Sequence, residues 1–360
     1  MLGRLASGVI ALNCLAVTCD AQIADQSAQS HSVPRDTERL GEQKKTLTSH
    51  VRWITQDKQG NMWFATDGEG LVRWDGNAFT HFTEKQGLPN DYVRTVQVDG
   101  AGKLWVTTRD GLCTFDGAVF TRIPVPAESS PPRLTPDLIW FESEGGALYF
   151  DGTEVGFLRL PIDEADKDWR SDVPSLNPYR IYSVHKARDG TVWFGTETRG
   201  VCRWDGKSFT WLREVDLDKS AVRSILQDSR GNTWMGNSGV GLFRYDGKEL
   251  RNFGIDHKIE NLTWLRGRHV RMPGKIADPH AILQDKDGII WIGAFDSGVW
   301  RYDGEAITNF TTKDGLPVDS VSAIYEDRAG KLWFGTHRGI CTFDGKTFAL
   351  VRGAAVAKDQ

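Results

Sequence analysis

The sequence predicts an all-β fold, a seven-bladed β-propeller of four-stranded antiparallel blades. Three observations carry this. Seven times a Trp is followed 11 or 12 residues later by Asp-Gly: Trp63/Asp75, Trp105/Asp116, Trp140/Asp151, Trp193/Asp205, Trp234/Asp246, Trp291/Asp303 and Trp333/Asp344. Six of these tryptophans have a Gly three residues upstream, and five have an Asp six residues upstream: Asp57, Asp99, Asp228, Asp285 and Asp327. Finally, 38 Gly and 14 Trp in 360 residues suit many tight turns between short strands with large side chains.

The repeat reads V-x-x-I-x-x-D-x-x-G-x-x-W-F-G-T-x-x-G-L-x-R-x-D-G-x-x-F. Its first strand is exemplified by Val93–Val98, β-branched and apolar, closed by the turn Asp99-Gly100-Ala101-Gly102. Leu104–Thr107 is the second strand, Leu112–Phe115 the third and Val119–Arg122 the fourth, after an Asp-Gly hairpin turn. Such a blade leaves both faces wet, and a ring of seven buries them, with the repeat tryptophans packed between blades. The third unit departs from the pattern. Its first strand belongs near Glu128–Leu134, but Pro131 and Pro132 stand there, and proline cannot serve an inner ladder. A distorted blade with an irregular edge is expected.

Residues 1–21 read as a signal peptide, with Arg4 before a short apolar run from Val9 to Val17 and small residues before a cut after Ala21. Acylation at Cys19 is the rival reading. Residues 22–49 read as a flexible polar lead-in, 50–353 as the propeller and 354–360 as a tail. The expected location is periplasmic or secreted, without a membrane span. Cys113, Cys202 and Cys341 share one repeat position and read as separate buried thiols rather than disulfide partners. A net charge of −4 sets up no field for nucleic acid.

Trp-Phe-Gly-Thr, as in Trp193–Thr196 and Trp333–Thr336, with the Gly-[Val/Ile]-Cys-x-[Trp/Phe]-Asp-Gly that follows, resembles the two-component regulator propeller repeat. The connectors Gly87-Leu88-Pro89 and Gly315-Leu316-Pro317 share the resemblance, which covers about residues 50–352. It implies kinship with periplasmic sensor regions of hybrid histidine kinases, propellers that perceive extracellular ligands. The present sequence shows no kinase or receiver segment, and the family offers no shared catalytic residues to carry over.

The loops joining fourth to first and second to third strands define the expected binding face. Four first-strand starts supply arginine, so Arg52, Trp53, Arg94, Arg180 and Arg223 are candidate ligand-binding residues, with Arg109 and His337 from second-to-third loops. Long insertions at 161–179 and 254–279 widen the Trp spacing to 53 and 57. The second places Trp264, Arg266 and Arg268 together, an aromatic platform among guanidiniums suited to a sugar face or an anion. The expected partner is a small polar or glycan-type ligand or an envelope protein, bound by a monomer. No catalytic residue, metal site or cofactor is assigned, since His185, His269, His280 and His337 lack metal-ligand spacing. The alternative is a propeller lyase or hydrolase; lyases of the streptogramin-cleaving type have similar Asp-Gly-x-x-Trp repeats.

Overall fold

In a computed structural model, residues 41–354 are described, except 144, 163–176, 215, 262, 264–271, 277 and 296. Seven antiparallel sheets follow one another along the chain and form the seven blades of a propeller. Each of five blades is a plain four-stranded meander; the second, for example, runs Val93–Val98, Leu104–Thr108, Gly111–Phe115 and Phe120–Ile123. Blade one gains a fifth strand, Glu42–Lys44, paired with its outermost strand Phe79–Phe82.

Blade three is the distorted one that the sequence leads one to expect. Its described strands are Ile139–Glu142, Ala147–Phe150 and Val155–Leu158. Trp140 sits in the first of them, so by repeat register these are the second, third and fourth strands, and the described residues supply no inner one. The stretch around Pro131-Pro132 lies elsewhere. The Ser129 N–H donates to Phe157 O at 2.9 Å and Tyr149 Oη donates to Ser130 O at 2.8 Å, so this segment runs along the outer edge. With two adjacent prolines it lacks the donors an inner ladder needs.

The conserved-looking letters of the repeat each have a mechanical role. The Asp six residues before Trp accepts the indole N–H, from Trp63 to Asp57 at 2.7 Å and likewise in blades two, five, six and seven. The Asp of every Asp-Gly turn accepts two backbone N–H groups, as Asp205 does from Lys207 and Ser208 at 2.8 Å. Those bonds hold the Asp205 carboxyl below its usual range. The Gly of Trp-Phe-Gly-Thr lets the next blade approach. A Cβ on Gly236 would lie 2.4 Å from Ser224 Oγ and 2.5 Å from Pro279 O. The Thr caps the following loop, Thr196 Oγ1 donating to Gly200 O at 2.9 Å.

Neighbouring blades are also stitched at the turn-rich face. Backbone N–H groups of Arg188, Ser229, Lys286 and Arg328 donate to the side chains of Gln227, Gln284, Glu326 and Gln56. The last of these crosses from blade seven to blade one and closes the ring. On the other side of that seam Leu47 is buried against Val51 and Trp333, and Ser49 O accepts from the Gly339 N–H at 3.1 Å. Residues 42–49 therefore carry ordered structure, although their polarity reads as lead-in. Among the described residues, no helix is long and apolar enough to cross a membrane.

Candidate functional site

A cavity of about 820 Å³ occupies the channel mouth, with all seven blades contributing. A repeated irregularity aims its side chains. In each of the six inner strands the pairing register skips one residue, as between Val51 and Trp53. The skipped residues are Arg52, Arg94, Tyr182, Arg223, His280 and Ser322, and every one lines the cavity. A bulge turns a side chain away from the sheet face it would otherwise occupy, here into the channel.

Blade three, where the described residues supply no inner strand, contributes a seventh group. Glu142 stands two residues after its repeat tryptophan, where four other blades place glycine behind their inner strand. With nothing in front of it, Glu142 faces the cavity. Burial pushes its carboxyl up to about 8, against the opposing pull of Arg94, Arg52 and Arg223. Nearby, Gln97 Nε2 donates to Trp140 O at 2.7 Å.

Charge around the cavity is uneven. Arg52, Arg94, Arg109, Arg180 and Arg223 line it, with the acidic side chains Asp67 and Glu142 among them. Arg52 Nε pairs with Asp67, and His50 Nδ1 lies 2.9 Å from the other oxygen of that carboxylate. Burial would raise Asp67, but the hydrogen bonds and charges of His50 and Arg52 hold it down to about 2. Arg223 Nε donates to Ser238 Oγ at 2.6 Å, which in turn donates to the buried Asp278 at 2.6 Å. The Arg223 guanidinium also covers the Tyr182 ring at 4.7 Å, and Arg109 covers Tyr92 at 5.8 Å.

Six of the residues singled out from sequence therefore converge: Arg52, Trp53, Arg94, Arg109, Arg180 and Arg223. His337 is set beside them rather than on the lining, its ring 3.7 Å from that of His50 and 4.8 Å from Phe295. Burial, then the neighbouring His50 and His280, bring the His337 imidazole down to about 4. Trp264, Arg266 and Arg268 lie outside the described residues. Sequence reasoning missed Glu142, Tyr182, His50, Asp67 and Ser322 as lining groups. Four blades announce the bulge position by arginine or histidine, and the same column of the repeat would have found Tyr182 and Ser322.

Blades and cavity together define a β-propeller whose channel mouth is an arginine-rich pocket. The family described as two component regulator propeller matches residues 47–68, 87–110, 175–198, 277–296 and 315–338, and the chain carries the repeats of that family. Each match runs from the connector through an inner strand and across the second strand, except the fourth, which begins just before Pro279. Similar solved structures include the extracellular domain of a protein described as a one component system from B. thetaiotaomicron. Its identity is 19%, its TM-score 0.61, and the match covers 84% of this chain and 39% of that one. The extracellular domain of a hybrid two component system from B. thetaiotaomicron is 23% identical with a TM-score of 0.59, covering 82% of this chain and 40% of that one. The present chain thus spans about two fifths of those structures. Virginiamycin B lyase from Staphylococcus aureus is 14% identical with a TM-score of 0.60, over 83% of this chain and 96% of that one. At these identities the likeness is one of fold. No curated protein matches the sequence.

Proposed function

We propose that this propeller is an exported, sensor-like binding module that takes a small anionic ligand, of the uronate or sulfated-glycan kind, into its channel mouth. One observation carries the reading: five arginines line a single cavity, and two acidic side chains, Asp67 and Glu142, stand with them among the described lining residues. Guanidiniums bind carboxylate and sulfate in a fixed fork, and the ring faces of Trp53, Tyr92 and Tyr182 offer platforms for a sugar. The kinship with sensor propellers supports the class of role, and export agrees with the sequence of residues 1–21. The ligand itself is read from the chemistry of the pocket. Titration calorimetry with a panel of uronate and sulfated oligosaccharides tests it. Arg94→Ala should weaken the binder found by at least about tenfold, roughly 1.4 kcal/mol, at an unchanged melting temperature. Affinity indifferent to Arg94→Ala, Arg180→Ala and Arg109→Ala alike would remove the channel mouth as the site.

A further inference from the structure

Within the arginine-rich pocket three side chains stand in an order that anion binding alone does not require. His50 Nδ1 lies 2.9 Å from Asp67 Oδ2, and His50 Nε2 lies 2.9 Å from Ser322 Oγ. All three residues line the cavity. They come from separate parts of the chain: the segment entering blade one, the loop after its second strand, and the bulge of the blade-seven inner strand Val321–Glu326.

We propose that Ser322, His50 and Asp67 form a nucleophilic triad that hydrolyses a small ester bearing negative charge, so that the pocket processes acylated anions as well as holding them.

The chemistry depends on which nitrogen faces which partner. A carboxylate only accepts, so the Asp67 side fixes the proton on Nδ1 and leaves the Nε2 lone pair directed at the Ser322 hydroxyl. That is the arrangement a general base needs to take the hydroxyl proton. Asp67 is held in place from both sides, His50 on Oδ2 and Arg52 on Oδ1. The His337 ring lies against the imidazole, centroids 3.7 Å apart and planes tilted by 32°, and restricts its movement. Other inner-strand serines are spent on backbone: Ser183 Oγ donates to Val222 O at 2.9 Å and Ser224 Oγ to Pro279 O at 3.4 Å. Ser322 instead sits at a bulge, partly exposed, with an imidazole as its partner.

The reaction balances without a further reagent than water. Ser322 Oγ attacks the ester carbonyl carbon while its proton passes to His50 Nε2. The C–O bond to the alcohol breaks, and the departing oxygen takes that proton back. Water then attacks the acyl-Ser322 carbonyl, giving its proton to His50, and the acid leaves as Ser322 recovers its hydrogen. Arg52, Arg94 and Arg223 surround the cavity and favour an ester whose acyl or alcohol part is anionic. This substrate class rests on the anion-binding reading; the triad geometry does not.

The test uses the full chain with two probes, a fluorophosphonate and 4-acetoxybenzoate. The expected result is one phosphonyl adduct per chain, on the peptide containing Ser322, and release of 4-hydroxybenzoate. Both should be abolished in Ser322→Ala, and turnover should fall by at least about a hundredfold in His50→Gln and Asp67→Asn. The same bonds also join blade one to blade seven, so the latter two variants risk misfolding. The decision therefore rests on the parent. A folded parent chain that gives no adduct at Ser322 and hydrolyses no faster than Ser322→Ala overturns the proposal. Uronate binding by Ser322→Ala keeps the two readings apart. Binding without acyl transfer in the parent ends the triad alone, and labelling without uronate binding ends the anion site alone.

Discussion

An indole N–H without an acceptor separates Trp140 and Trp193 from the other five repeat tryptophans. Their counterparts donate to an Asp six residues upstream, where these two have Leu134 and Ala187. The turn around Ala187 is otherwise the same, since its N–H still donates to Thr191 O at 2.8 Å and Gly190 N–H donates back to Ala187 O at 3.0 Å. Ala187→Asp should therefore supply the missing acceptor and stabilise the fold by about 1 kcal/mol. Asp228→Ala should do the reverse at Trp234 and cost about 1–3 kcal/mol, the usual penalty for stranding a buried donor. Urea titration of the two variants against the parent measures both. Thiols make a second prediction at this scale. Burial pushes Cys113, Cys202 and Cys341 up to about 12, so none should react with Ellman's reagent until denaturant is added. Prompt labelling of any of these three thiols in the native chain, located by peptide mass, would contradict the packing of the third strands.

Elements meet where Gly195, Gly236, Gly293 and Gly335 admit the inner strand of the following blade. Gly236→Ala should be destabilising by about 1–3 kcal/mol, because its new methyl collides with the Pro279 carbonyl as well as with Ser224 Oγ, and the backbone oxygen cannot turn aside. Thermal unfolding followed by circular dichroism reports it, and an unchanged midpoint would show that the blades separate more easily than their packing implies. In blade two the equivalent residue is Thr107, and its hydroxyl meets Thr95 Oγ1 at 2.6 Å. No inner strand of a following blade needs the space there. These positions also show what a sequence can disclose. Strands and turns were legible because Asp-Gly, Asp-x-x-Gly and Trp recur at fixed offsets, and the arginine column pointed at the channel. The bulge was not, since skipping a partner leaves no mark on hydrophobic alternation. Nor was Glu142, whose exposure depends on the chain having diverted Pro131 and Pro132 to the outer edge of its blade.

As a whole molecule, the ring is closed by the segment that precedes it. Glu69 accepts from the backbone N–H groups and hydroxyls of Thr48 and Ser49, while Gly353 and Ala354 donate to Lys45 O and Asn77 O. A chain beginning at Val51 should accordingly melt several degrees below the parent in calorimetry; an equal midpoint would mean that the inner strands of blades one and seven suffice. The pH response is set inside the ring. Glu142 binds a proton up to about pH 8 when folded but only to its ordinary value near 4.5 when unfolded. Its stabilising contribution is therefore complete below that ordinary value and is lost as pH rises through about 8. Glu142→Gln should flatten that decline, measured as the urea midpoint from pH 5 to pH 9, and a decline of equal slope in the variant would assign it to other groups.

Seven near-copies around an axis would offer a guest seven almost equal ways to lie, differing only by rotation. The gap in blade three removes that degeneracy. A guest in the proposed site would meet one notch with a carboxyl in it, among guanidiniums, while the wall at the seam of blades one and seven carries Ser322 and His50. The channel thus has a compass bearing. A guest taken up as proposed would find one orientation marked out in a ring that would otherwise look alike from every side.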